Sequence, residues 1–521
     1  MSGQTGFRTP NLSDHSKKWV EQMRRARSRR KTVSIEAPAS KGPHSRATPA
    51  YAPLTQGQVD KIVDTTVELL ATSGVVIEPG GEADGLLRQA GCVLSDGGIV
   101  KIPETVTRRA LATAARKTTL WDRNGENPIS IDCEHTWFMP GMTCIAVYDA
   151  DSGEPRPSTR EDLALITLIA DKLPHVDGVC IAVKNVEQSN QFGEIDEFVC
   201  LMENTTKPLE YLCEHPSSLV AVTEMAAALR GSQDALRKKP YFLHLVTPLP
   251  VNLARIHSDQ IITAARAGVP VGVGTLPIGG ASSPITLAGC ITHALMTDFA
   301  AVVLGQLAAE GSFCVGCSDV NFMEPATGAI GSFSQTSVAD MAMCQIRRSL
   351  GFPSLTGIGG CSVARRFNQD AVWEISSNMT QMFYNRPATI DYMGSLDQGL
   401  TYSLHALLLC DDLAGLLRKM WQGLEVSADQ MAADLIREVG PSGNFLARQH
   451  TVDNCRTQVW NSRYFGPNIP LSNAGAPDQD LLERIGDDLK MMLAELEQPV
   501  LPSKTKAAVT AILNNYRDLV V

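Results

Sequence analysis

A chain of 521 residues with 44% hydrophobic and 20% charged residues has the make-up of a folded protein in water and excludes a mainly disordered or fibrous one. Its longest apolar runs, such as 299–305, fall far below the roughly 18 to 20 residues that cross a bilayer. Thirteen scattered Cys, an odd number, predict buried reduced thiols and a cytoplasmic location rather than a disulfide framework. The net charge of −10 is unevenly spread, because residues 1–46 carry eleven Lys or Arg against three acidic residues. The remainder is strongly acidic, which argues against nucleic acid as a partner.

In chain order, residues 1–53 read as a basic disordered arm and a Pro/Ser/Ala/Gly-rich linker. The arm is read as a solvated tail or a dock for an acidic partner. Residues 54–142 predict an α+β cap. It starts with a helix whose face is Val59, Ile62, Val63, Thr66, Leu69 and Leu70, closed by Gly74, followed by short β-like runs at 74–77, 92–94 and 99–102. From residue 143 to 402, short apolar runs alternate with helical stretches. Strands are expected near 143–149, 178–183, 209–213, 241–246, 270–274, 312–316, 354–358 and 388–392, each spaced for one crossover helix. The fold class expected is therefore α/β, a (β/α)8 TIM barrel with an N-terminal α+β cap and, over 403–521, a C-terminal helical extension. An open doubly wound sheet is the alternative. The Asn444–Phe465 connection is expected over one mouth of the barrel.

In such a barrel the chemistry sits at strand ends. The expected ends carry Tyr148, Lys184, Glu214, His215, Cys317, Asp319, Phe322, Gly360 and Tyr392. No nucleophile elbow and no His-Glu-x-x-His helix is present. Cys314 and Cys317 form a C-x-x-C pair that could hold zinc with His215 or Cys361, but Cys314 reads better as a strand thiol. Lys184 could form a Schiff base in a lyase.

Four ordered segments, Val269 to Gly289, Gly328 to Ser332, Gly351-Phe-Pro-Ser354 and the Gly-rich turn Gly357 to Cys361, together resemble the trimethylamine methyltransferase family. The resemblance runs from about Leu54 to Phe465. It implies methyl transfer from a methylated amine to the cobalt(I) of a corrinoid (cobalamin) carried by a partner protein. Family enzymes for trimethylamine carry pyrrolysine in the turn after the seventh strand, where this chain has Gly360. The resemblance therefore points to the branch without pyrrolysine, whose substrates are small quaternary amines such as glycine betaine. The chain departs from the betaine enzymes in two places. Glu324-Pro-Ala-Thr327-Gly328 lacks a basic residue before Thr-Gly, and Ser362-Val-Ala-Arg365-Arg366 replaces an acidic and Lys pattern.

Such a substrate already has a neutral amine as leaving group, so no covalent catalytic residue and no tightly bound metal are expected. The protein must supply aromatic faces, each contributing about 0.5 to 2 kcal/mol through cation–π attraction, and a nearby carboxylate. The substrate-binding candidates are Phe138, Tyr148, Phe322, Tyr392 and Tyr402 for the rings, with Glu214, Asp319 or Glu324 for charge. His215 and His405 are candidates for a polar tail, and Gly360 for room. A homo-oligomer without membrane contact is expected. The alternatives are a trimethylamine:corrinoid enzyme, a lyase built on Lys184, and a betaine-binding protein without turnover.

Overall fold

The computed structural model describes residues 51–149, 154–355, 357–455, 457–465 and 479–517. The basic arm expected over residues 1–46 lies outside them.

The described chain opens with the helix Gln56–Thr72, started by a capping box between Thr55 and Gln58, which satisfies N–H groups that the helix itself leaves open. Its buried face is Val59, Val63, Thr66, Val67 and Leu70. Gly74 then adopts φ +79°, and a Cβ there would lie 2.5 Å from the Val100 carbonyl oxygen, so only glycine allows the turn. Strands Val75–Ile77, Val93–Leu94 and Ile99–Lys101 pair antiparallel. Their sheet takes a fourth, parallel strand from far along the chain, Asn252–Leu253, with Val76 opposite Asn252.

A four-stranded parallel sheet forms the centre, in the order Leu209–Leu212, Phe242–Val246, Val271–Val273, Cys314–Gly316. Nearly every position in it is buried, as expected of a parallel sheet with neither face open to water. Val179 extends it by a parallel bridge to Leu209. A second parallel pair joins Trp137–Pro140 to Thr389–Met393, and Ile358 bridges to Asp391 on the other flank of that pair. The Asp177 N–H donates to the Phe138 carbonyl at 2.8 Å, linking the two groups on one side. Among the described residues no strand pairing links Cys314–Gly316 to the segment around Ile358. The molecule is mixed α/β, and hydrogen bonding does not close the sheet.

The first strand differs from expectation. Ala146–Tyr148 pairs antiparallel with Pro155–Pro157 and parallel with Thr401–Tyr402, in a small sheet of its own. Trp137–Pro140 takes the place beside the last strand. The burial explains it, since all four residues of Trp137–Pro140 are buried while Ala146–Tyr148 alternates. The chain breaks between the two at Thr143, which has φ +56°.

The helix Leu287–Ala308 is long and apolar enough to cross a membrane by length and composition, although no single run in it is, but 72% of its most apolar window is buried inside the protein. It is apolar all round because helices Gln56–Thr72, Glu104–Thr113 and Arg255–Ala267 and the strand Cys314–Gly316 surround it. Toward the C-terminus, Leu404–Gln422 packs on Gln369–Asn385 and Leu481–Ala494, and Ser503–Arg517 on Pro216–Arg230. The connection expected over a barrel mouth runs instead along Leu404–Gln422. Lys419 Nζ donates to the Thr457 carbonyl at 2.7 Å, the Arg463 N–H to Asp412 at 2.9 Å and Tyr464 OH to Asp488 at 2.7 Å.

Candidate active site

Two strands of the parallel core carry a carboxylate within an apolar run, Leu209-Glu-Tyr-Leu212 and Thr389-Ile-Asp-Tyr-Met393. Tyr211 faces the surrounding helices: its ring lies 5.0 Å from that of Phe198, and its OH donates to the Glu194 carbonyl at 2.9 Å. Strand alternation therefore turns Glu210 to the opposite side. Glu210 and Asp391 are both fully buried, and their carboxyls lie close enough to act on each other although their strands are not sheet neighbours. They meet across the space that the strands enclose. Cys180 and Cys317, on two further segments, feel the Glu210 charge from the same space.

Burial drives both carboxyls far above the usual range, Glu210 to about 8; the Glu210 charge raises Asp391 further, whereas Asp391 partly offsets the rise at Glu210. If both were ionised, neither Glu210 oxygen would have a donor. The pair therefore holds a proton in common near neutral pH and titrates as a unit. Thr389 Oγ1 donates to the far oxygen of Asp391 at 3.0 Å.

Asp319 stands above the pair, at the end of the strand Cys314–Gly316. Its N–H donates to the Thr275 carbonyl at 3.1 Å, and its charge acts on Asp391, Tyr392 and Asp340. Asp340, on the helix Phe333–Ser349, has one oxygen closed off from water without a partner, and burial holds its carboxyl well above the ordinary range. A buried guanidinium of this region, Arg347, is shared between Asp298 and the charge of Asp319, and also acts on Asp340. Arg347 pairs with Asp298 at 2.9 Å, both all but inaccessible, and also bonds the Ser318 carbonyl and, at 3.0 Å, Ser354 Oγ. Arg347 and Asp298 thus fix the strand end that presents Asp319, and Arg347 offsets part of the acidic charge there, leaving the Glu210 and Asp391 pair without a cation in direct contact.

Tyr392 follows Asp391 with φ +64°, beside a register shift between Ile390 and Met393. A bulky side chain in the left-handed region is strained, and such strain concentrates at functional sites. Its hydroxyl is held far above its ordinary range, first by burial and then by Cys361, Asp319 and Asp391. An aromatic ring and three buried carboxyls thus share one region, an arrangement that attracts a cation and repels an anion.

Of the residues expected from the strand ends, Asp319 and Tyr392 meet here. Glu210, Asp391 and Asp340 were not expected. Two of them carry a signal, a carboxylate in mid-strand followed by Tyr, which a search confined to strand ends passes over. Glu214 and His215 close a separate strand end through Glu194, which accepts the Glu214 N–H at 2.9 Å and lies 3.2 Å from His215 Nδ1. Phe322 lies on a short strand paired with Ile278–Gly279, and Glu324 caps the turn that follows. Tyr148 lies half-buried in the small antiparallel sheet.

Three expected candidates lie away from the enclosed space. Phe138 is core, with Trp421 at 6.0 Å and the Arg418 guanidinium at 5.1 Å over its ring. Tyr402 is buried with its OH on the Met393 carbonyl at 3.0 Å. His405 faces Phe367, and Gly486 of a C-terminal helix. Gly360 gives no room at all: a Cβ there would lie 2.5 Å from the Met393 nitrogen and meet the Tyr392 carbonyl carbon at 2.8 Å. The glycine marks close backbone approach to the last strand, and Asn378 and Glu374 pin the turn through Cys361 O at 3.0 Å and Val363 N at 2.8 Å.

Lys184 is ion-paired with the buried Glu197 at 2.8 Å, which holds its side chain against the helix Gln191–Asn204. Cys314 Sγ donates to the Ala301 carbonyl, and among the described residues no three His, Cys, Asp or Glu gather to hold a metal ion.

A family model described as trimethylamine methyltransferase (MTTB) matches residues 22–518. The trimethylamine methyltransferase MttB of Desulfitobacterium hafniense (strain DSM 10664 / DCB-2) is 26% identical over 465 residues, covering 87% of this chain and 92% of that protein. The glycine betaine methyltransferase of D. hafniense (strain Y51) is also 26% identical, over 420 residues, covering 79% of this chain and 86% of that protein. Equal identity to both leaves the choice of amine to the site itself. The crystal structure of the hydroxylamine complex of MtmB aligns with 89% of this chain and 93% of its own, at a TM-score of 0.45 and 10% identity.

Proposed function

The chain belongs to the trimethylamine methyltransferase family, and from that premise we propose that it moves a methyl group from a small quaternary amine to the cobalt of a corrinoid carried by a partner protein. The observation that carries the choice of amine is the acidic enclosure of Glu210, Asp391 and Asp319 beside the Tyr392 ring. A net cation such as choline or tetramethylammonium suits this enclosure better than zwitterionic glycine betaine, because the carboxylate of a betaine would face buried acids while Arg347 is already held by Asp298. We read the eight parallel segments as a (β/α)8 arrangement whose carboxyl ends open onto this enclosure.

In this reading Tyr392 and the carboxyls hold the ammonium head, and the shared proton of Glu210 and Asp391 leaves as the cation arrives. The departing amine is neutral, so no residue needs to protonate it. The residues present fit an acceptor brought in by a partner: segments that follow the strands expose Ile145, Leu249, Leu276, Ile285, Ile330 and Leu400, the kind of apolar surface that partner proteins cover. Reduced cobalt supplies the nucleophile when that partner is bound.

The test is a panel of methylated amines incubated with reduced cobalamin, following loss of the reduced absorbance. Choline or tetramethylammonium should be turned over faster than glycine betaine or trimethylamine. Turnover of glycine betaine with none of the net cations would overturn the charge argument, and no turnover of any methylated amine would overturn the reading as a whole.

A further inference from the structure

A cavity of about 490 Å³ opens beside the amino-terminal end of Thr389–Met393, the strand that carries Asp391, and its lining includes Arg116, Lys117, Cys133, Arg348 and Arg386. The segments that meet there precede Thr118–Trp121, Trp137–Pro140, the Ile358 segment and Thr389–Met393. The side-chain bonds of Arg116 and Arg348 run to main-chain carbonyls: Arg116 to Leu111 O at 2.5 Å, Arg348 to Asn385 O and, at 3.3 Å, to Arg386 O. Arg116 also lies 3.9 Å over the Phe352 ring. These contacts hold one edge of each guanidinium and aim the rest at the cavity.

Two acids also line the cavity, but the nearer is already engaged: both oxygens of Asp132 lie about 3 Å from His135 Nδ1, and Oδ1 also takes the N–H groups of Glu134 and His135. Glu134 is exposed and acts on Arg386. Among the described residues, four cations and two acids thus line one cavity. Arg386 itself sits at φ +51° at the end of its helix, a conformation that a longer side chain adopts only at a cost.

We propose that this cavity is a phosphate-binding site, taking inorganic phosphate or the phosphate of a monoester. Phosphate matches several converging N–H forks and a charge above one, whereas a monocarboxylate satisfies only one fork. Bound there, it would tie the amino end of Thr389–Met393, the strand that carries Asp391, to the segments beside it.

The test uses the full chain in a phosphate-free buffer, titrated calorimetrically with inorganic phosphate and, in parallel, phenyl phosphate, at constant ionic strength. Saturable one-to-one binding is expected, weakened at least about tenfold by Arg116→Gln combined with Arg348→Gln. Tighter binding of the ester would assign the site to a phosphoester, and tighter binding of the free ion to phosphate itself. Because those arginines also cap helices, a second measurement uses the unaltered protein: phosphate should slow iodoacetamide alkylation of Cys133, read by peptide mass analysis, while leaving the exposed Cys455 unchanged. Absence of saturation by either probe below ~10 mM, or Cys133 alkylation indifferent to phosphate, would overturn the proposal and leave the arginines as helix caps only.

Discussion

The two ends of the parallel strands gather charge of opposite sign and handle it differently. In the enclosure, Glu210 and Asp391 are fully buried, meet each other rather than a cation, and keep a proton. At the amino-terminal ends, Arg116, Arg348 and Arg386 stay partly accessible, and the first two lean on the carbonyls that end helices, where the helix dipole favours positive charge. Acids can escape the cost of burial by protonation, and arginine cannot. A carboxylate can therefore be stored in a core until a cation arrives, whereas a guanidinium cluster has to be kept at the surface or paired, as Arg347 is with Asp298.

The sharpest challenge to this contrast concerns the wall of the acidic end. Gly360→Leu should destabilise the fold by about 3 kcal/mol or more, because the side chain would have to enter the Tyr392–Met393 backbone. A denaturation midpoint unchanged in the variant would show that the turn can open as a pocket. Next, Glu210→Gln or Asp391→Asn should lower kcat/KM for a quaternary amine by about a hundredfold while leaving melting temperature unchanged or raised, since each removes a buried charge. Activity retained in both variants would place the cation elsewhere.

The pH dependence follows from the same pair. Its carboxyls bind protons more tightly folded than unfolded, so their contribution to stability is complete below the ordinary carboxylate value of 4.5 and is lost as pH rises toward about 8. Urea titrations across that range should show a decline that Glu210→Gln flattens, and saturating choline should reverse it with release of a proton, detectable as a buffer-dependent binding enthalpy. Smaller again is the ring: Tyr392→Leu should weaken quaternary amine binding by about 0.5 to 2 kcal/mol, while Tyr392→Phe should change it little, as measured by KM and by competition. At the other end, Arg116→Gln should alter kcat by less than twofold, an effect within the scatter of surface substitutions. A large loss there would mean that the two ends are coupled.

Much of the central sheet was legible because its strands are short continuous apolar runs: those near 209–213, 241–246, 270–274 and 312–316 all contain strands. The first strand was misplaced because Trp137-Phe-Met-Pro140 ends in a proline preceded by three buried aromatic or sulfur-bearing residues, whereas the apolar run after Thr143 looked more strand-like and pairs elsewhere. In the site, Asp319 and Tyr392 could be found from the rule that chemistry lies at strand ends. Glu210 and Asp391 lie a residue or two deeper, where a carboxylate contradicts its surroundings, and that contradiction was the readable sign. Gly360 illustrates the opposite limit, since a glycine in a sequence marks either vacancy or crowding, and only the position of Met393 decides between them.

The pairing of Val76 with Asn252 has a consequence for how the protein is made. The first sheet cannot be completed until some 170 further residues have left the ribosome, so its three early strands emerge with one edge unpaired and available to other chains. At translation speeds of about 5 to 20 residues per second that exposure lasts roughly ten to thirty seconds. Nascent-chain stalling before and after Leu253 should therefore separate a protease-sensitive N-terminal segment from a resistant one, and the interval between the two is when a chaperone would be needed.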